Sequence, residues 1–286
     1  PEGAITGASS VSGNDVFQHK YEDWTDMFNE RQLVCHSKLL SSISNVGDQN
    51  VQEYLLLAFT GMLRTNTMMV GYDQGYNKII NIFKNNSFDP PQTHCEGNVW
   101  GAEFGRGTFE SIIDLVKSGI EYAREPTERY VQDGETVETA EFSKPIGENV
   151  TLHQGDMRRL DFEDEFDAVI TDPPYYDNII YSEVSDYFYV WQKILLEDKY
   201  PGFDQDKTPR ADSIVTNPYL DKTAEDFESE LGQAFSVIKR ALKDDGSLTF
   251  TYHHSDSESW GELLESLCNV GFEVTATYPI TADINK

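Results

Sequence analysis

Apolar positions in the first third of the chain recur at helical spacing. Residues 1–15 are small and polar, with Gly3, Gly7 and Gly13 among serines, and read as a flexible lead-in. Met27 to Ser44 and Val51 to Val70 then follow the helical period. In the second segment Tyr54, Leu55, Leu56, Leu57, Ala58, Phe59, Met62 and Leu63 are apolar nearly all round, which predicts a buried helix. Asn85 to Pro91 break the chain before Val99-Trp100. Beyond Gly107 the stripe Phe109, Ile112, Ile113, Val116 and Ile120 predicts a third helix. Residues 124–148 are charged, contain Pro126 and Pro145, and read as a surface excursion. From Val150 short strand patterns alternate with amphipathic helices. The expected strands are Val150 to Gln154, Phe166 to Thr171, Ser247 to Tyr252 and Phe272 to Tyr278. Between them lie a helix with Tyr181, Val184, Phe188, Trp191 and Leu195 on one face, a helix capped by Thr223, and a helix ending at Gly271. This alternation is the signature of an α/β sheet. It divides the chain into a helical region, 1–98, and a core, 99–286.

Composition narrows the class. A chain of 286 residues, 38% hydrophobic, holds one large domain or two small ones. No apolar run approaches the roughly 18 to 20 residues that span a bilayer, so no membrane association is expected. The formal charge is −28, from 50 acids against 22 bases, which leaves no global basic surface to hold nucleic acid by counterion release. The acids are spread along the chain among abundant aromatics, which argues against a disordered acidic tail. They fit a halophilic protein of a high-salt cytoplasm, where screening over about 3 Å or less suppresses self-repulsion. Cys35, Cys95 and Cys268 are odd in number and lack CxxC spacing. The expectation is ordinary core cysteines in a cytoplasmic protein, with no disulfide framework and no metal site. The chain starts at Pro1 without Met and reads as a piece of a longer protein.

The chemistry lies in Asp172-Pro173-Pro174-Tyr175, at the carboxyl end of an expected strand, where open α/β sheets place their ligands. Two consecutive prolines fix two φ angles and remove two amide donors, so the backbone there offers only acceptors. An amine would be held between the Asp172 carboxylate and the Pro173 carbonyl with its lone pair free. Placed next to an electrophilic methyl group, it needs no strong general base. Tyr175 supplies an aromatic face for a flipped base, worth about 1 to 3 kcal/mol per base stacked.

This tetrapeptide resembles motif IV of the S-adenosylmethionine-dependent amino-methyltransferases. The longer stretch Thr171 to Trp191, TDPPYYDNIIYSEVSDYFYVW, is similar to adenine-specific DNA methylases of a bacterial and archaeal family whose full-length members carry a Zn-ribbon. Phe28 to Leu33, Val99 to Phe104, Lys243 to Gly246 and Gly271 to Pro279 resemble that family in the same order. The resemblance implies a Rossmann-like class I methyltransferase sheet with additional N-terminal helices, S-adenosyl-L-methionine as cofactor, and DNA as substrate. It assigns catalysis to Asp172, Pro173, Pro174 and Tyr175. It assigns the cofactor to Asp156, which would accept from the adenine amine, to Met157 on that ring, and to Thr171. The family's Gly-rich cofactor loop has no clear equivalent, Gly105-Arg106-Gly107 being the one candidate. The resemblance therefore implies that an upstream segment or partner chain supplies the loop, that this chain alone is incomplete as an enzyme, and that helicase or ATPase partners of restriction loci accompany it.

Around the motif, Tyr176, Asp177 and Asn178 lie either in the base pocket or on the surface, and His253-His254 are candidates for the pocket rim. The aromatics of 181–191 stand at helical spacing and read as core. Arg158-Arg159 and the group Lys239, Arg240 and Lys243 are the best local cationic patches. Two other functions stay open: methylation of RNA or of another amine or amide, and a non-catalytic DNA-binding subunit that needs a partner.

Overall fold

Asn29 opens the first helix through a reciprocal cap. Its side chain accepts from the Gln32 amide at 2.9 Å, while Gln32 Oε1 accepts from the Asn29 amide at 3.0 Å. In the computed structural model this helix, α1, spans Glu30–Ser44, and α2 spans Gln49–Leu63. The residues described are 3–5, 16–84, 86–99, 107–139, 142, 144–177, 179–217, 220–254 and 257–279. They divide into two compact units that alternate along the chain: Pro1–His153 with Ile180–Arg210, and Gln154–Ile179 with Ala211–Lys286. Residues 99–153 thus fall with the helical unit.

In the helical unit α2 is less enclosed than its sequence suggests. Leu56, Phe59, Met62 and Leu63 are buried, each contributing about 1.5 to 3 kcal/mol, but Val51, Tyr54 and Leu57 form an exposed stripe at three-residue spacing. The helix also stops at Leu63 rather than reaching Val70. There Asn66 Nδ2 turns back to the Met62 and Gly107 carbonyls, at 3.1 and 2.7 Å, and Thr67 Oγ1 donates to the Met27 carbonyl at 2.6 Å. Such side-chain bonds offer the backbone an alternative to continuing the helix. A two-residue pair follows, β1 (Tyr72–Asp73) with β2 (Lys78–Ile79). Helix α3 (Phe109–Arg124) half-buries its expected stripe and approaches α2 so closely that a Cβ on Gly61 would stand 3.0 Å from Ile112. The charged excursion contains an exposed hairpin, β3 (Glu128–Gln132) with β4 (Glu135–Thr139). It turns on Asp133-Gly134, both at positive φ, which matches the twist of the flanking strands.

Helix α4 (Tyr181–Leu196) brings Tyr187 and Trp191 into this core, where the Tyr187 ring stacks on Phe28 with centroids 5.9 Å apart. The aromatics of 181–191 are core, as their spacing suggests, but the buried face is rotated from the expected one. Asp186 is buried with its charge met, accepting from Arg210 Nε at 2.8 Å and from Thr208 Oγ1 at 2.6 Å, and buried Glu183 accepts from Ser182 Oγ at 3.0 Å. His36 is fully buried against Phe28, Phe59 and Trp191. Its Nε2 donates to the Asn66 carbonyl at 2.9 Å, and its Nδ1 has no hydrogen-bond partner among the described residues.

The second unit is mixed α/β. β5 (Phe166–Thr171) pairs in parallel with β6 (Leu242–Phe250), the register breaking between Phe166–Leu242 and Ala168–Ser247. Helices α5 (Ala224–Ala241) and α6 (Ser257–Val270) cover one sheet face, where Phe227, Leu231, Phe235, Ile238, Leu263 and Leu267 meet Val169, Leu248 and Phe250. Thr223 caps α5 with a box closed by Asp226, and Gly271 ends α6 at φ +92°. On the opposite face Ala168, Ser247 and Thr249 are exposed and Ile170 is 81% exposed. Two expected strands, Val150 to Gln154 and Phe272 to Tyr278, form no ladder among the described residues, and Leu152 and Tyr278 point to solvent. Of the cysteines, Cys268 is exposed rather than core. Among the described residues no helix is long and apolar enough to cross a membrane.

Candidate active site

β5 delivers Asp172 to the carboxyl end of the parallel pair. The Thr251 amide donates to the Thr171 carbonyl at 3.2 Å, which extends the ladder one residue past β6 and sets Thr251 beside Asp172. Thr251 Oγ1 donates to Asp172 Oδ1 at 2.6 Å. The Tyr175 hydroxyl donates to the same oxygen in a short hydrogen bond. Oδ2 of this exposed carboxylate accepts from no described residue. Pro173 is buried and Pro174 and Tyr175 are half-buried, so the four motif residues occur together with the carboxylate outermost.

The chain after the motif is pinned rather than loose. Tyr176 sits in the left-handed region at φ +51°, a conformation that a bulky residue holds only under external constraint. Its carbonyl accepts from the Thr216 amide at 3.1 Å, and its ring meets Phe227 and His254 edge to face, with centroids at 5.2 and 5.8 Å. His254 Nε2 stands 3.1 Å from Asp177 Oδ1, so His254 and Tyr176 belong to this site, whereas His253 is exposed beside it.

Three aromatic rings continue outward from the motif. Tyr175 meets Tyr252 with centroids 5.4 Å apart and planes at 90°, and Tyr252 meets Trp260 at 4.9 Å and 86°. Trp260 Nε1 donates to the His254 carbonyl at 3.1 Å, leaving the ring 39% exposed. Tyr252 and Ser259 share a short hydrogen bond, and burial pushes the Tyr252 phenol above its ordinary value, so it stays protonated. Thr251, Tyr252 and Trp260 were not singled out as site residues from sequence. The signal for the first two was the ladder itself, since extending a Thr171–Phe250 register by one residue sets Thr251 against Asp172.

The residues proposed for the cofactor are engaged elsewhere. Asp156 Oδ1 accepts from the Arg158 amide at 2.9 Å and from Arg158 Nε at 3.0 Å, while Oδ2 accepts from Arg158 Nη2 at 2.8 Å. Hydrogen bonds from Arg158 hold the Asp156 carboxyl below the usual range. Arg158, only 11% exposed, also meets Glu230 at 3.1 Å, and Glu230 meets Lys222 at 2.8 Å. Met157 packs on the α5 core, and the Thr171 carbonyl completes the ladder. Asp156 thus has both oxygens engaged by Arg158, and half-buried Met157 packs against the α5 cluster; as arranged, these two residues do not fit the adenine of S-adenosylmethionine. Gly105-Arg106 and Asn178 lie outside the described residues.

The cationic patches are likewise engaged within the chain, although Arg159, Arg240 and Lys243 lie at its surface. Arg159 meets Asp212 at 3.1 Å, Arg240 Nη2 donates to the Leu160 carbonyl at 3.0 Å, Lys243 meets Asp167 at 2.6 Å, and Lys239 lies over Phe272. Among the described residues no group of three or more His, Cys, Asp or Glu side chains is placed to hold a metal ion. Comparison of the chain with protein-family models, with curated proteins and with solved structures found no match.

Proposed function

We propose that this chain carries the amine-binding part of a cytoplasmic, S-adenosylmethionine-dependent methylase that acts on the exocyclic amino group of adenine in DNA, on a Rossmann-like sheet of which β5 and β6 are two strands. The observation that carries the reading is the state of Asp172: one carboxylate oxygen is tied by two hydroxyl donors and the other is open, at the end of a parallel strand and ahead of two prolines and a tyrosine. The family resemblance of Thr171 to Trp191 supports it further.

In this reading the target amine donates one N–H to Asp172 Oδ2 and the other to the Pro173 carbonyl. With both protons held, rotation about the amine's bond to the base is arrested and the nitrogen lone pair faces away from the two acceptors. The base ring lies on Tyr175, and the prolines keep the backbone from offering a competing N–H. A methylase of this kind draws its methyl group from S-adenosylmethionine. Because Asp156 and Met157 as arranged do not fit the adenine of that molecule, its binding is assigned to an upstream segment or a partner chain. Helicase or ATPase subunits would be further partners. With its best cations paired internally, the site relies on stacking and pocket hydrogen bonds rather than phosphate contacts.

Labelled-methyl incorporation into DNA, by this chain together with the upstream segment or partner chain that binds S-adenosylmethionine, tests the reading. Asp172→Ala is expected to lower transfer by about 100-fold or more, the size of loss seen when one preorganised polar contact is removed from an active site. Unchanged transfer overturns it, and incorporation into RNA but not DNA reassigns the substrate.

A further inference from the structure

We infer that Thr251 is a positioning residue for Asp172, setting which carboxylate oxygen faces the target amine; this rests on the methylase reading above. Asp172 and Thr251 are 79 residues apart in sequence and meet only because β5 and β6 are parallel neighbours in a register extended by the Thr251 amide. The two donors to Oδ1 differ in kind. Tyr175 lies three residues from Asp172 on the motif segment, and its ring is the surface assigned to the base, so engaging a base draws its hydroxyl into competition with the substrate. Thr251 belongs to the neighbouring strand and faces no such demand. Its β-branched side chain is stiff about χ1, so its hydroxyl is held where the ladder puts it. When Tyr175 moves onto the base, Thr251 keeps Oδ1 occupied and Oδ2 turned outward. Removing that hydroxyl frees the carboxylate to rotate, which spreads the acceptor over orientations that do not hold the amine.

The test compares Thr251→Val, which keeps the branched shape, with Thr251→Ser, which keeps the hydroxyl, in the full protein with whatever segment or partner chain completes its methyl transfer. Methyl transfer is measured on DNA, together with the thermal midpoint and the fluorescence of a duplex carrying 2-aminopurine at the target base. Thr251→Val is expected to lower kcat by about 10- to 100-fold, with KM for DNA and the thermal midpoint little changed, and Thr251→Ser to restore most of the rate. Wild-type kcat in Thr251→Val overturns the inference, as does an equal loss in both variants, which would mark a packing role. The 2-aminopurine signal, reporting extrusion of the base, should survive in Thr251→Val; its loss together with kcat would also overturn the inference, placing Thr251 in base capture. Asp172→Ala separates the two levels. If it abolishes transfer while Thr251→Val does not, the positioning role alone fails. If transfer persists in Asp172→Ala, or is absent from the wild-type protein, the methylase reading fails and takes the inference with it.

Discussion

His36 makes the stability of the helical unit depend on pH. The ring is fully buried, touches Phe28, Phe59 and Trp191, and gives its one Nε2 proton to the Asn66 carbonyl. A second proton would place a cation in that aromatic shell, so desolvation, only partly offset by the Asn66 carbonyl, lowers its pKa from 6.5 to about 4. The unfolded chain therefore takes up the proton first as the pH falls. Stability from the neutral ring is complete above the unfolded value, is lost progressively below pH 6.5, and is gone once the folded value is passed. At 1.36 kcal/mol per pKa unit the full effect is about 3 kcal/mol, a large share of the 5 to 15 kcal/mol that holds a typical domain together. The assay is urea unfolding followed by circular dichroism at pH 7 and at pH 4.5, for the wild type and for His36→Gln. The variant starts weaker, but its drop between the two pH values should be smaller than the wild type's by about 2 kcal/mol or more. Since the other five histidines and all the carboxylates are common to both proteins, the difference reports on His36. Equal drops would refute the assignment of a buried neutral ring.

Two further outcomes concern charge. Arg158→Met leaves Asp156 and Glu230 without their shared cation in a half-buried setting and should destabilise the α/β unit by about 2 kcal/mol, read as a lower thermal midpoint. DNA affinity should fall only shallowly with added salt, far from the steep slope of a protein making 6 to 10 phosphate contacts; a steep loss measured by fluorescence anisotropy would contradict the internal pairing of Arg158, Arg159 and Lys243.

Where local pattern decides structure, the sequence was readable. The α3 stripe, the Thr223 cap, the Gly271 stop and the position of Asp172 at a strand end all follow from spacing and from single-residue conformational preferences. Long-range pairing was not readable. The face of α4 is turned by Arg210, 24 residues from Asp186, which lets that acid enter the interior, and no periodicity in residues 181–196 reveals it. The hairpin at 128–139 is a different case, since Asp133-Gly134 is an ordinary local turn signal hidden by the charge around it. At the site the motif was legible, but its support was not. Thr251 becomes visible only when the register of two strands is known, and the loss of Asp156 to Arg158 only when both oxygens are traced.

The alternation of the two units along the chain has a consequence for how the protein is made. Synthesis delivers residues 1–153 first, yet the helical unit still lacks α4, with Tyr187 and Trp191, until residue 210 has been added. By then the strand and motif of the other unit have already emerged and must wait for β6 and α6. Neither unit can fold to completion as the chain grows, so both expose apolar surface to the translating cell until late. For the same reason no single cut releases either one intact. A truncation after residue 153 removes two large rings from the first core, and dissecting the protein requires rejoining 153 to 180, or 179 to 211, rather than shortening either end.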